Sequence, residues 1–106
     1  MKIQFNTDRN IEGNQRLETW VTKRLHEALD RFAERITRIE VHMSDQNGQK
    51  NGQDDQQCRL EARLKGLNPI TVTAREATIE KSFSAAISKL RANLDTTIGK
   101  MTEIKP

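Results

Sequence analysis

Residues 78–101 read TIEKSFSAAISKLRANLDTTIGKM. The apolar side chains Ile79, Phe83, Ile87, Leu90, Leu94, Ile98 and Met101 are spaced 4, 4, 3, 4, 4 and 3 apart. That period belongs to an α-helix with one apolar stripe, and the stripe requires a core to face. Thr78 is the expected N-cap, and Glu80 suits the positive end of the helix dipole. At about 100° per residue, Ser82, Lys89, Asn93 and Lys100 fall together on one flank. Glu80, Arg91 and Asp95 fall on the other. The charged groups of the first flank are all cations, placed to follow a phosphate backbone. The plainer reading is a solvated helix face.

The strands precede this helix. Ile70, Val72 and Ala74 alternate with Thr71, Thr73 and Arg75, and Cys58, Leu60, Ala62 and Leu64 alternate with Arg59, Glu61, Arg63 and Lys65. Gly66-Leu67-Asn68-Pro69 turns the chain between them. Further back, Ile39, Val41 and Met43 point inward and Arg38, Glu40 and His42 outward. Residues 44–57, SDQNGQKNGQDDQQ, are polar and hold two Asn-Gly pairs, which reads as a long, flexible hairpin loop.

At the start of the chain, Lys2 to Thr7 alternates around Ile3 and Phe5 and reads as a first strand. Asp8-Arg9-Asn10 is turn chemistry, and Asn14 is the expected N-cap of a helix from Gln15 to Phe32. Leu17, Val21, Leu25, Ala28 and Phe32 form its expected buried stripe, with Leu29 at the margin. Trp20, Arg24, Glu27 and Arg31 line the flank of the same sense as the basic flank of the last helix. His26 lies outside. Residues 102–106 read as a loose tail.

The order is therefore β-α-β-β-β-α, an α+β two-layer sandwich. A four-stranded sheet carries both helices on one face and leaves the other wet. The first helix is a crossover, so the first two strands pair in parallel. A chain of 106 residues is one domain, too short for a deep catalytic cleft between domains. With 34% hydrophobic and 31% charged residues, its core is thin. The net charge of +3 is compatible with a nucleic-acid partner without requiring one.

Enzyme motifs are missing. His26 and His42 lack metal-ligand spacing, and the five glycines form no phosphate-cradling loop. Cys58, the single cysteine, sits on the inner row of a strand and reads as a buried small hydrophobe. It excludes a disulfide within the chain. No cofactor or metal site is expected. No stretch approaches the roughly 20 apolar residues of a membrane span, so a cytoplasmic setting is the default. What remains is surface charge: Arg24, Arg31, Lys89 and Lys100 on the helices, and Arg38, Arg59, Arg63, Lys65 and Arg75 on the sheet. For the sheet, cross-strand salt bridging is the favoured explanation.

These residues resemble a family. Thr7-Asp8-Arg9-Asn10-Ile11-Glu12, VTKRLHEALDRFAER at Val21 to Arg35 and FSAAISKLRANL at Phe83 to Leu94 are similar to stretches of the short ribosome hibernation-promoting factors and ribosome-associated translation inhibitors, also called sigma-54 modulation proteins. The resemblance covers nearly the whole chain. It implies a fold shaped like a double-stranded-RNA-binding domain. It also implies a non-enzymatic factor that binds the decoding region of the small ribosomal subunit through 16S rRNA. Such a factor inhibits translation under stress and is a monomer off the ribosome. Arg24, Arg31, Arg35, Lys89 and Lys100 are the candidate RNA-binding residues. The alternative is a protein-interaction module of the same fold that has lost RNA binding.

Overall fold

The computed structural model describes residues 1–8, 11, 15–46 and 55–104, with side chains through residue 100. The elements follow the expected order: β1 (Lys2–Thr7), α1 (Gln15–Leu29), a 3-10 turn (Asp30–Phe32), β2 (Ile36–Asp45), β3 (Gln56–Leu64), β4 (Ile70–Glu76) and α2 (Ile79–Ile104). The sheet order is β1-β2-β3-β4. β1 pairs parallel with β2, and the other two pairings are antiparallel. This is the α+β sandwich read from the sequence.

Register builds the core directly. Phe5, Val41, Leu60 and Val72 stand opposite one another across the four strands, and Ile3, Ile39, Ala62 and Ile70 form the next row. The central members are buried and the edge members Ile3, Phe5 and Ile70 are half-buried. α2 packs over β3 and β4 and closes the core with Phe83, Ile87, Leu90 and Leu94. α1 adds Val21, Leu25 and Leu29.

The α1 stripe differs from expectation at both ends: Leu17 is only half-buried. Leu29 is fully buried and Ala28 only half-buried. The helix tightens into the 3-10 turn after Leu29, and residues three apart eclipse there. Phe32 therefore falls on the side of Leu29.

Strand β2 holds a second departure. Ile36 and Ile39 are both buried although they stand three positions apart, an odd spacing that alternation puts on opposite faces. The ladder shifts register between Ile36 and Arg38, leaving Thr37 as the extra residue of a bulge, its Oγ1 donating to the Arg63 carbonyl at 3.1 Å. The bulge returns Ile36 to the core side.

Two boundaries move. Ser44 and Asp45 pair with Gln57 and Gln56, and the Gln46 N–H donates to the Asp55 carbonyl at 2.8 Å. Residues at both ends of the expected 44–57 loop are thus ladder. A ladder uses backbone groups and tolerates polar side chains wherever a neighbouring strand pairs. The middle of that loop and the expected Asn14 cap lie outside the described residues. The expected tail begins too early, since α2 continues through Ile104.

The local signals that hold are chemical. Thr78 caps α2, its Oγ1 accepting from the Lys81 N–H at 3.1 Å. Gly66 turns β3 into β4 with φ +71°, a conformation that suits glycine. Asp8 ties the end of β1 to β2: its N–H donates to Met43, and its carboxylate accepts from the Asp45 and Ile11 N–H groups.

Candidate nucleic-acid interface

The two helices run parallel. Trp20 meets Phe83 with ring centroids 5.3 Å apart. Eleven residues after Trp20, in the 3-10 turn that follows α1, and twelve after Phe83 on α2, Arg31 meets Asp95 at 2.6 Å. The flank of α1 carrying Trp20, Arg24 and Arg31 therefore faces α2, and the Asp95 flank of α2 faces α1. Lys89 lies about 120° around α2 from Asp95. Its ammonium donates to the Thr73 carbonyl of the edge strand β4 at 2.7 Å. Lys100, eleven residues on, returns to the side of Lys89 within about 20°.

The five candidate residues thus do not make one patch. On parallel helices laid side by side, flanks of the same sense cannot face each other. Arg24 and Arg31 border the seam between the helices, while Lys89 borders β4 and Lys100 lies further along the same side of α2. Arg35 is exposed beyond the 3-10 turn, where its carbonyl accepts from the Lys65 N–H at 3.0 Å.

Their engagement differs as well. Arg24 is exposed and has no hydrogen bond or ion pair among the described residues. Arg31 is occupied: one Nη contacts both Asp95 oxygens, at 2.6 and 2.8 Å, and the guanidinium lies 4.6 Å from the Phe32 ring centroid. Ser82 leaves the surface set altogether. It is fully buried, which a helix tolerates because its hydroxyl donates to the Ile79 carbonyl at 2.8 Å.

Two cations escaped the sequence reading. Arg16 and Lys23 line a shallow depression of about 470 Å³ on α1 together with Gln15, Thr19 and Trp20. The spacing of Arg16, Trp20 and Lys23, at i, i+4 and i+7, was the available signal.

Part of the open sheet face is internally paired, while Lys2, Arg59 and Arg75 on the same face have no ion pair among the described residues. Glu40 lies 3.5 Å from Arg38, 3.4 Å from Arg63 and 3.5 Å from His42. Arg63 also reaches Glu61 at 3.0 Å. Arg38 donates to Gln4, and Arg75 donates to Gln57 and Gln46. Glu40 and Glu61 stand opposite each other in the ladder, so the arginines separate two like charges. Partial desolvation opposes ionisation of Glu40. The hydrogen bond from His42 and the neighbouring Arg38 and Arg63 outweigh it and hold the carboxyl below its ordinary value. This supports the salt-bridge reading of the sheet.

The single cysteine is not activated as a nucleophile. Burial pushes the Cys58 thiol up to about 12. Among the described residues no group of three or more His, Cys, Asp or Glu side chains could hold a metal ion. No described helix is long and apolar enough to cross a membrane. The arrangement offers exposed cations on the helix layer and a rigid sheet beneath them.

The fold has close counterparts among solved structures. The N-terminal domain of Protein Y from Thermus thermophilus superposes with a TM-score of 0.73 at 20% identity, over 92% of this chain and 99% of that one. A ribosomal subunit interface protein from Coxiella burnetii superposes with a TM-score of 0.76 at 18% identity, over 93% and 99%. No curated protein matches the sequence. A family model described as Sigma 54 modulation protein / S30EA ribosomal protein matches residues 5–102, and the chain belongs to that family.

Proposed function

We propose that the protein is a ribosome hibernation factor that binds the decoding region of the small ribosomal subunit through its rRNA and inhibits translation under stress. It acts without catalysis, in the cytoplasm, and is a monomer when off the ribosome. Membership of the family over residues 5–102 carries this reading. The fold shared with the ribosomal subunit interface protein from Coxiella burnetii supports it. We take the helix layer as the RNA side because Arg16, Lys23 and Arg24 stand together on α1 with no ion pair among the described residues. On the sheet, Arg38 and Arg63 are held by Glu40 and Glu61, and Lys2, Arg59 and Arg75 are the cations without an acidic partner among the described residues.

Co-sedimentation with purified small subunits over a salt series tests the proposal. Phosphate contacts release counterions, so affinity falls steeply with salt. Reversing Arg24, Lys89 and Lys100 to glutamate is expected to weaken binding strongly and to flatten the salt slope, by roughly one unit for each phosphate no longer neutralised. Reversing Lys2 and Arg59 on the sheet face is expected to matter little. The opposite pattern would move the RNA surface to the open sheet. Absence of wild-type binding at low salt would end the RNA reading in favour of a protein partner.

A further inference from the structure

Trp20 serves two environments. One side of its indole packs on Phe83 at 5.3 Å, with the rings tilted by 59°, which anchors the side chain to the core. The residue is nevertheless only partly buried, and the rest of it lines the depression of about 470 Å³ with Gln15, Arg16, Thr19 and Lys23. An aromatic surface pinned from behind loses little side-chain entropy when something stacks on it. Arg16 and Lys23 flank it, and Arg24 stands one helical turn beyond Trp20, outside the lining; all three are exposed. None has an ion pair or hydrogen bond among the described residues.

We propose that this depression is a stacking site for one unpaired nucleotide of RNA, the base lying on Trp20 and the adjoining phosphates meeting Arg16, Lys23 and Arg24. The site deepens the functional reading above and rests on it, and it adds a contact that depends on a base as well as on charge. A base needs an apolar plane and a phosphate needs donors, and α1 supplies both within two turns. Stacking tolerates any base, because every base has a π-face. The cations meet the phosphates on either side. Gln15 and Thr19 supply neutral hydrogen-bonding groups at the rim, and the lining holds no carboxylate; exposed Glu27, one turn beyond Lys23 and Arg24, bounds the cationic stretch.

Trp20 is the only tryptophan of the chain, so its fluorescence reports the site without a label. The probe is a single-stranded adenine oligonucleotide about six nucleotides long, within the span one small domain covers. An abasic strand of equal length carries the same phosphates. Binding to the full chain is followed by anisotropy of the strand and by Trp20 emission. The adenine strand is expected to quench Trp20 in step with occupancy. The abasic strand is expected to bind about 5- to 150-fold more weakly, the range of one base–aromatic stack. Trp20→Leu, which keeps an apolar group against Phe83, is expected to bind both strands alike. Arg16→Glu with Lys23→Glu keeps the fluorophore and is expected to weaken both strands and flatten the salt slope by about two, so the site is testable even if the Trp20 variant fails to fold. Equal wild-type affinity for the two strands, or unchanged emission at saturation, overturns the site. Quenching by a polyglutamate peptide as complete as by the adenine strand assigns it to an acidic peptide instead. Small-subunit pelleting run alongside separates the claims: subunit binding without base-dependent quenching refutes the stacking site alone, and no subunit binding refutes the functional reading with it.

Discussion

Arg31, in the turn after α1, and Asp95, on α2, are joined at 2.6 Å across the seam between the helices, 64 residues apart in the chain. The pair is exposed on both sides, so its contribution to stability is small, roughly 0–1 kcal/mol. Its effect on the surface is larger. A cation that would otherwise face solvent is held by a carboxylate and by the Phe32 ring.

Asp95→Asn is therefore expected to release Arg31 and remove one negative charge from the helix layer. Small-subunit affinity is expected to rise, with a salt slope steeper by about one, while the melting temperature changes little. Arg31→Ala is expected to weaken binding less than Arg24→Ala does. Comparable losses in the two alanine variants would show that Asp95 gives Arg31 up on binding.

Leu90 is fully buried on the stripe of α2 that closes the core over β3 and β4. Leu90→Ala is expected to destabilise the fold by about 2–5 kcal/mol, from lost transfer energy and the cavity left behind. Urea denaturation checks it: the midpoint falls while the slope stays constant. A loss below about 0.5 kcal/mol, far under the range for buried leucines, would contradict the packing described.

The Glu40 carboxyl is held below its ordinary value of 4.5, since the His42 hydrogen bond and the Arg38 and Arg63 charges outweigh its partial desolvation. The folded chain thus binds this proton later than the unfolded chain as pH falls. Stability from Glu40 is present above pH 4.5 and is lost as pH drops through the lower folded value. Thermal melts of wild type and Glu40→Gln are expected to differ at neutral pH and to converge in acid. Parallel pH profiles would remove Glu40 as a source of acid sensitivity.

Cys58 is fully buried between Met43 and Ala74 in the ladder, and its thiol is pushed up to about 12. The thiolate is the reactive form. A chromogenic disulfide reagent is expected to label the native protein only at the rate of unfolding, and the denatured chain at once. Since burial favours the neutral thiol, its contribution to stability holds below the ordinary value of 9.0 and declines as pH rises toward 12. Rapid labelling under native conditions would place Cys58 near the surface.

The stripe of Phe83, Leu90 and Leu94 and the alternation of Cys58, Leu60 and Ala62 were legible because each element has its own period, which the pattern of burial copies residue by residue. The salt-bridged sheet was legible for the same reason, as alternation fixes which charges share a face. Ile36 was not, because a bulge is a property of two strands together. The exchange of Ala28 for Leu29 was hidden by the 3-10 turn, and the burial of Ser82 by a hydrogen bond it makes to its own helix.

The site divides in the same way. Which cations leave the core, and on which flank of each helix, followed from the sequence by itself, since helical geometry is local. Which flank meets which neighbour followed only from the tertiary structure. Parallel packing turned the Arg24 and Arg31 flank toward α2 and Lys89 toward β4. It brought Asp95 onto Arg31 and Phe83 behind Trp20. These pairings join residues far apart in the chain, and their energies depend on distances that no local period encodes.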